Sequence, residues 1–473
     1  MAVVVSAPSR PAWAERLPDF GEHLRRWWPA WLLTALLGFL ALYPIWMLVV
    51  GSLRDQAGAF SVSAYVRMFS SPTTYDLIWT TVWLATVRVA LAAVIGIFLA
   101  WVVTRTDTPW RGGIEALMWI KFFAPPLPMI VAWTLLGGKS GLLNVWAQQL
   151  PFVTGPIVNI YSYGGIIWVS TLSLAAFIFL LTVPAFRAMD ASLEESARML
   201  GASRLQALRY VTVPVALPAV LGAIFLAFII VLESFETEII LGVPSRIYVL
   251  STRIFVLSQE YPQDLPGATA LSTFFLLMVG TIILVQTRLL HGKSFVTISG
   301  RGYSQQPTPL GRWRWVTFGI CLVYFFLAAV LPLMMLLMGS FMKAWGVWSA
   351  EPFTLNHWMV SLSDPRLMSA IANTVLMGVL VGVGGTLACA LASYLVVRTG
   401  FRGKVALEFI TLAPRVAPGV VLAIAFAWAY IGLPIFRPIG GTVPMMSILL
   451  AISAMPLASR VLNGARYGSQ QQG

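Results

Sequence analysis

Apolar positions in this chain come in long unbroken runs, and polar or charged positions are confined to the short breaks between them. Runs near the roughly 20 residues that a helix needs to cross a bilayer fall at 30–51, 78–103, 115–137, 164–186, 211–232, 268–287, 315–338, 370–397, 406–430 and 443–459. The pattern predicts an all-α polytopic membrane protein with about ten transmembrane helices. Composition agrees: 58% of the 473 residues are hydrophobic, 10% are charged and the mean hydropathy is +0.82. A soluble domain carries roughly 25% charged residues, so most of this chain belongs in lipid.

The basic residues add an orientation. If the N-terminus is cytoplasmic, 20 of the 31 Lys and Arg lie on the cytoplasmic side, eight lie opposite, and Arg88, Lys121 and Arg415 fall inside spans. The reverse insertion would break the positive-inside rule. The net charge of +13 therefore reflects loops beside anionic lipid, and nucleic acid is not an expected partner. Residues 1–29, with Arg10, Arg16, Arg25 and Arg26 before Trp27-Trp28, read as a cytoplasmic arm ending in an interfacial aromatic anchor. Cys321 and Cys389 fall in spans, and His23, His291 and His357 lie in separate polar segments. Neither a structural disulfide, a metal site nor a cofactor is expected.

The chain repeats itself. YPIWMLVVGSL (43–53) stands beside LPLMMLLMGSF (331–341), with Pro44, Met47, Leu48, Gly51 and Ser52 recurring 288 positions on. Pro72, Thr81, Arg105 and Thr106 recur as Pro365, Thr374, Arg398 and Thr399, and Ala124-Pro125 as Ala413-Pro414. Six predicted helices separate the copies, an even number, so both insert in the same sense as parallel repeats, which is transporter architecture. The predicted division is a first unit at 30–287 with six helices, a polar linker at 288–314, and a second unit at 315–473 with four.

Between Ala191 and Val220 the sequence ASLEESARMLGASRLQALRYVTVPVALPAV gathers charge in an otherwise apolar chain. Ser192 precedes Glu195 by three residues and Ser203 precedes Gln206 by three, both fitting a capping box. Gly201 between them suits the left-handed residue that ends a helix. Two short helices are predicted, about 193–200 and 204–210, with a bend at Gly201; Leu193, Ala197 and Leu200 share a face of the first. From geometry alone this could be a helix pair lying on headgroups. Glu195-Ser196-Ala197, three residues, Gly201, nine residues, then Val211-Thr212-Val213-Pro214 resembles the EAA signature of binding-protein-dependent ABC importer permeases. The departures are Ser for the first alanine and Val for Ile and Leu.

The resemblance implies that the 190–214 loop is a coupling element that docks on a cytoplasmic ABC ATPase dimer, with Glu194, Glu195, Ser196, Ala197 and Gly201 as its contact residues. AWVVTRTDTPWRG, SYLVVRTGFRG and the SGRGY…RWRW linker make the chain most similar to the fused permeases of ferric-iron importers. Relatives of that build move polyamines, thiamine or phosphonates. The family further implies a periplasmic solute-binding protein, a bacterial inner-membrane location, and no covalent chemistry by this chain.

Other features carry less. GlyGlyLysSer at 137–140 lacks the earlier glycine of a phosphate loop, since position 133 is Trp133. Arg88 in mid-span must face protein or water. Glu233, Glu236 and Glu238 near the outer end of the fifth helix are either part of a cation pathway, with Arg88, or an ion-paired helix contact or interfacial rim; the second alternative is favoured. Gly378 and Gly382 form a GxxxG pattern that suggests close helix packing. APPLP (124–128) and APRVAP (413–418) are expected to bend the third helix of each copy. An ion-gradient-driven secondary transporter stays open as the alternative of another class, and it would need those embedded carboxylates. A membrane enzyme lacks a convergent site.

The repeat also predicts a second coupling element near residue 466, where the sequence reads VLNGARYGSQQQG. No Asp or Glu follows Glu408. The expectation is a truncated or frameshifted second copy. Completion by another chain, or a permease that works with one loop, would produce the same sequence.

Overall fold

The computed structural model describes residues 25–188, 196–197, 199–290, 307–345 and 351–470. Among them every element is helical apart from isolated bridges. Seven helices are long and apolar enough to cross a membrane, and up to ten spans result if each of three bent pairs is one span.

In chain order, α1 covers Trp28–Ser52, α2 Ser63–Ser70 and α3 Pro72–Arg105; α4 (Arg111–Phe123) and α5 (Pro126–Gly137) follow. Then come α6 (Tyr163–Arg187), α7 (Val213–Leu232), α8 (Leu250–Gln259) and α9 (Leu265–Leu290). The second copy begins with α10 (Trp313–Phe325) and α11 (Leu331–Phe341), which run on as one span. After α12 (Asn356–Ser363), α13 (Pro365–Val379) and α14 (Thr386–Arg398) again make one span. α15 (Lys404–Leu412), α16 (Gly419–Ile431) and α17 (Val443–Gln470) complete the order.

The repeat is visible element by element. α2 and α12 are both eight residues long. The spans that follow them, Pro72–Arg105 and Pro365–Arg398, are both 34 residues, and each opens on the proline and closes on the arginine that the sequence aligns. A proline supplies no amide and is suited to a first helical turn. The prolines of APPLP and APRVAP do more than bend the third helix: they break it, by 93° after Phe123 and by 112° after Val416. Two other prolines are accommodated by π segments. Phe326–Val330 ends two residues before Pro332, and Leu208–Thr212 two residues before Pro214. A proline ring clashes with the carbonyl four residues back, and the wider π turn moves that carbonyl.

One element was not legible as a span. The segment after α7, which lies between the predicted runs 211–232 and 268–287, holds Glu238–Ser245 and α8, a pair bent by 75° that passes the same length and hydropathy test. Conversely, the tenth predicted run, 443–459, is the apolar first part of α17 and is short for a crossing.

Contacts divide the chain into two compact units, and these do not follow the order of the repeat. The larger unit is Gly51–Met368, and the smaller joins the residues up to Val50 with those from Ser369 onward. The first helix of each copy thus lies in the compact unit of the other.

In the larger unit, α3 and α6 form the centre. Leu84, Ala92 and Leu99 are buried with Ile166, Ala175 and Phe179, and Cys321, Ala328 and Met335 from α10–α11 join the same core. Gly96 is needed there: a Cβ on it would stand 2.6 Å from the Ala175 carbonyl oxygen and 3.1 Å from Ile178 Cβ. The Tyr324 hydroxyl donates to the Leu172 carbonyl at 2.7 Å, fixing α10 against α6.

In the smaller unit, Leu37 and Ala41 of α1 are buried with Cys389, Leu407, Phe426, Tyr430 and Met455. Trp31 meets Phe401 edge-on at 5.0 Å, and the Tyr430 hydroxyl donates to the Phe39 carbonyl at 2.9 Å. Apolar burial alone does not order helices in lipid, so such packing and hydrogen-bond contacts specify the pairing.

Candidate functional site

The charged stretch folds locally as its residues dictate. Ser196, Ala197 and Met199 are helical, and Glu194 and Glu195, with Leu193 and Ser192, lie outside the described residues. The Leu200 amide donates to the Ser196 carbonyl at 3.1 Å and the Ala202 amide to the Ala197 carbonyl at 3.0 Å. Gly201 between these bonds has φ +94°. The longer bond spans five residues, the mark of a Schellman stop, and it requires a residue that tolerates the left-handed region.

The second capping box is formed. The Ser203 amide donates to Gln206 Oε1 at 2.8 Å, and the Gln206 amide to Ser203 Oγ at 3.3 Å. The helix it starts, Arg204–Ala207, passes through the π segment 208–212 into α7, so the predicted short helix ending near 210 is continuous with the next span. At the tip of the bend, Met199 and Leu200 are 85% and 90% exposed. Ser196 and Gly201 are exposed and Ala197 is half-buried. Two large apolar side chains on a rigid, capped bend in a charged loop are suited to packing into another surface.

Arg88 and Glu238 meet. Both are buried, at 1% and 0% side-chain exposure, and Arg88 Nη1 donates to Glu238 Oε1. Arg88 Nε also donates to the Leu84 carbonyl at 3.0 Å, and Nη1 to Ser170 Oγ at 3.3 Å. The other carboxylate oxygen of Glu238 accepts from Ser234 Oγ at 2.6 Å. Further bonds tie the same region together. Ser251 Oγ donates to the Ser234 carbonyl at 2.5 Å, and the Leu250 amide to Thr81 Oγ1 at 3.0 Å. The pair therefore pins the bent segment 238–259 to α3 and α6. A charge is tolerated in an apolar interior when it is paired and its remaining hydrogen-bonding capacity is used.

The other two glutamates stand differently. Glu233 caps α7, its amide donating to the Ile229 carbonyl at 3.1 Å, and its side chain is half-buried. Glu236 is exposed. Of the four residues considered for a pathway, the structure thus joins two as an ion pair. The pairing of Arg88 with an acid 150 positions later has no local sequence signal.

Lys121 contrasts with Arg88. It is 3% exposed at the end of α4, just before the break at Ala124-Pro125, and its ammonium donates to Ser173 Oγ at 3.2 Å. Among the described residues no carboxylate lies within 4.0 Å of it. Cys321 and Cys389 are both buried and free, and no group of three or more His, Cys, Asp or Glu comes together among the described residues.

Residues 92–293, from the middle of α3 to just beyond α9, match the family described as the binding-protein-dependent transport system inner membrane component. That segment is a binding-protein-dependent permease unit. The match takes in the Gly201 bend, Lys121 and Glu238, and Arg88 lies just before it. Over 431 residues the chain is 25% identical to the ferric transport system permease protein FbpB of Actinobacillus pleuropneumoniae, covering 90% of this chain and 61% of that protein. It is 24% identical to a putative ferric transport system permease protein, FbpB 1, of Haemophilus influenzae, covering 90% and 66%. The sulfate transport system permease protein CysT of Salmonella typhimurium is 28% identical over 270 residues, 56% of this chain and 95% of that one. The chain thus resembles the two ferric relatives along 90% of its own length and spans 61% and 66% of theirs.

Proposed function

We propose that this permease is the membrane-spanning subunit of an ABC importer, receiving a solute from a periplasmic binding protein and driven by a separate cytoplasmic ATPase. The observation that carries the proposal is the Gly201 bend. A Schellman-stopped helix end, a formed capping box at Ser203 and two exposed apolar side chains make a rigid protrusion. It is continuous through the π segment with α7, so a push on the bend is delivered to a membrane helix. Glu194, Glu195, Ser196, Ala197 and Gly201 are the proposed docking residues, and the N-terminus is proposed to be cytoplasmic, as the basic residues favour.

The solute is proposed to be ferric iron, since two relatives matched over 90% of the chain carry that name. The sulfate relative makes an oxyanion the competing cargo. Of the pathway candidates, the exposed Glu236 stays available to a cation, whereas Arg88 and Glu238 neutralise each other. That neutralisation also weakens the ion-gradient alternative, which needs carboxylates free to take up protons.

The test is co-purification with the ATPase. Gly201→Pro or Glu195→Lys is expected to abolish association while leaving membrane insertion intact; wild-type yield of the ATPase with either variant would overturn the docking assignment. Uptake of radiolabelled ferric iron against sulfate, in cells whose proton gradient has been collapsed, separates the cargoes and the energy source.

A further inference from the structure

Lys121 occupies a place that the other copy fills with a hydrocarbon. On α4 it follows Ile114 and Met118 at spacings of four and three, on the stripe that faces the core, and those two residues are buried. At the offset that aligns Ala124-Pro125 with Ala413-Pro414, Met118 corresponds to Leu407 and Lys121 to Ile410. Both counterparts are buried in the smaller unit. An isoleucine therefore satisfies the packing at this position, and the ammonium answers another need.

Its depth rules out a lipid headgroup as that need. Lys121 stands about ten residues, roughly 15 Å of helix, beyond Arg111 at the start of α4. Ser173, which accepts from it, stands about ten residues inside Tyr163 and about fourteen before Arg187, the two ends of α6. Half of a hydrocarbon layer about 30 Å thick is about 15 Å, so the ammonium is near the midplane. Just beyond it the helix breaks by 93°, and the matching break of the second copy also carries a basic residue, Arg415. Interrupted helices at matching positions of a repeat are where transporters build solute sites.

The polar groups around Lys121 are donors. An ammonium carries three N–H groups, and among the described residues only the one on Ser173 Oγ is used. Ser170 lies one turn away on the same face of α6, and its Oγ accepts from Arg88 Nη1. Each serine thus spends a lone pair on a cation, and neither hydroxyl proton has an acceptor among the described residues. Glu238 is committed to Arg88 and Ser234. Arg88 and Glu238 cancel, which leaves the charge of Lys121 without a counter-charge, a costly state in an apolar interior.

We propose that Lys121, Ser173 and Ser170 form a solute site midway across the membrane that takes an anionic oxygen group. The group supplies the missing counter-charge, and its several oxygens accept the unused N–H and O–H donors together. A bare metal cation would meet a like charge there and no free acceptor. The site rests on the reading of the chain as a solute permease, and it narrows the cargo. A free oxyanion fits as it stands, and ferric iron fits inside a shell of anionic oxygen ligands.

The experiment measures the thermal midpoint of the detergent-solubilised full chain in sodium chloride, sulfate, phosphate or citrate, and in ferric citrate, at matched ionic strength. A shift shared by the parent and Lys121→Met is the general salting effect of the anion. The expected result is a further rise of about 2 °C or more in the parent, absent from Lys121→Met and kept by Ile114→Ala, which alters the same stripe without touching a donor. Ser173→Ala is expected to need roughly tenfold more anion for half the effect, and it decides if Lys121→Met does not accumulate. A rise with the sodium salts indicates a free oxyanion, and a rise with ferric citrate alone indicates an iron complex; both support the site. Equal shifts in parent and Lys121→Met, or loss of the rise in Ile114→Ala, would overturn it. Because no ATPase is present, the result is separate from co-purification: a lost ATPase with a retained anion effect would sink the importer reading and leave the site standing.

Discussion

Replacing Glu238 by Ala leaves the Arg88 guanidinium buried with its charge uncompensated. At an effective dielectric constant near 20, two unit charges about 4 Å apart attract by about 4 kcal/mol. Removing one partner of a buried pair costs about 3–5 kcal/mol. Because Arg88 is 1% exposed and keeps bonds to Leu84 and Ser170, it cannot swing out to water, and the full loss is expected. Glu238→Ala and Arg88→Leu are therefore each expected to lower stability by about 3–5 kcal/mol. Arg88→Met combined with Glu238→Met is expected to fall within about 1–2 kcal/mol of the parent, since apolar replacement of a whole buried pair is often neutral. The readout is the thermal aggregation midpoint of the detergent-solubilised chain, with single-variant drops of at least about 5 °C. If the doubly substituted chain falls by the sum of the single effects, the residues are not a closed neutral unit and the reasoning fails.

Lys121→Met removes a buried ammonium whose partner is a serine hydroxyl, and it is expected to raise stability by about 1–3 kcal/mol; a lowered midpoint would reveal a counter-charge. Gly96→Ala forces α3 and α6 apart at the Ala175 carbonyl and is expected to cost about 1–3 kcal/mol, whereas Gly319→Ala, with nothing within 4 Å, is expected to gain about 0.5–1 kcal/mol. Ser203→Ala deletes half of the capping box and is expected to cost about 1 kcal/mol locally, seen as faster amide exchange at Gln206 with the global midpoint unchanged. Tyr430→Phe removes the hydroxyl bond to the Phe39 carbonyl and is expected to cost about 1 kcal/mol in the smaller unit.

Spans, repeat and break points were legible because each is written in local composition. An apolar run states its length, a proline states where an amide is missing, and Gly201 between two Ser-x-x-Glu/Gln motifs states a capped bend. The segment 238–259 escaped because Glu238, Ser245 and Arg246 interrupt its apolar run and the 75° bend halves it. Arg88 announced that it needed an interior partner, and the acid cluster at 233–238 was noted, but the choice of Glu238 depends on how α3 and the bent segment approach each other. The exchange of first helices is also unreadable, since α1 and α10–α11 are apolar all round and carry no mark of the neighbours they take.

That exchange sets a timetable for biogenesis. The Tyr430 hydroxyl meets a carbonyl 391 positions earlier in the chain, and at roughly 5–20 residues per second of synthesis α1 leaves the ribosome on the order of 20–80 s before that partner exists. A soluble apolar helix would aggregate during such an interval. A membrane helix can wait, because its backbone hydrogen bonds are already satisfied within it. Assembly is therefore expected in two acts, insertion in the order of the gene and then a search in the plane of the bilayer, in which the oldest helix waits for a partner made last.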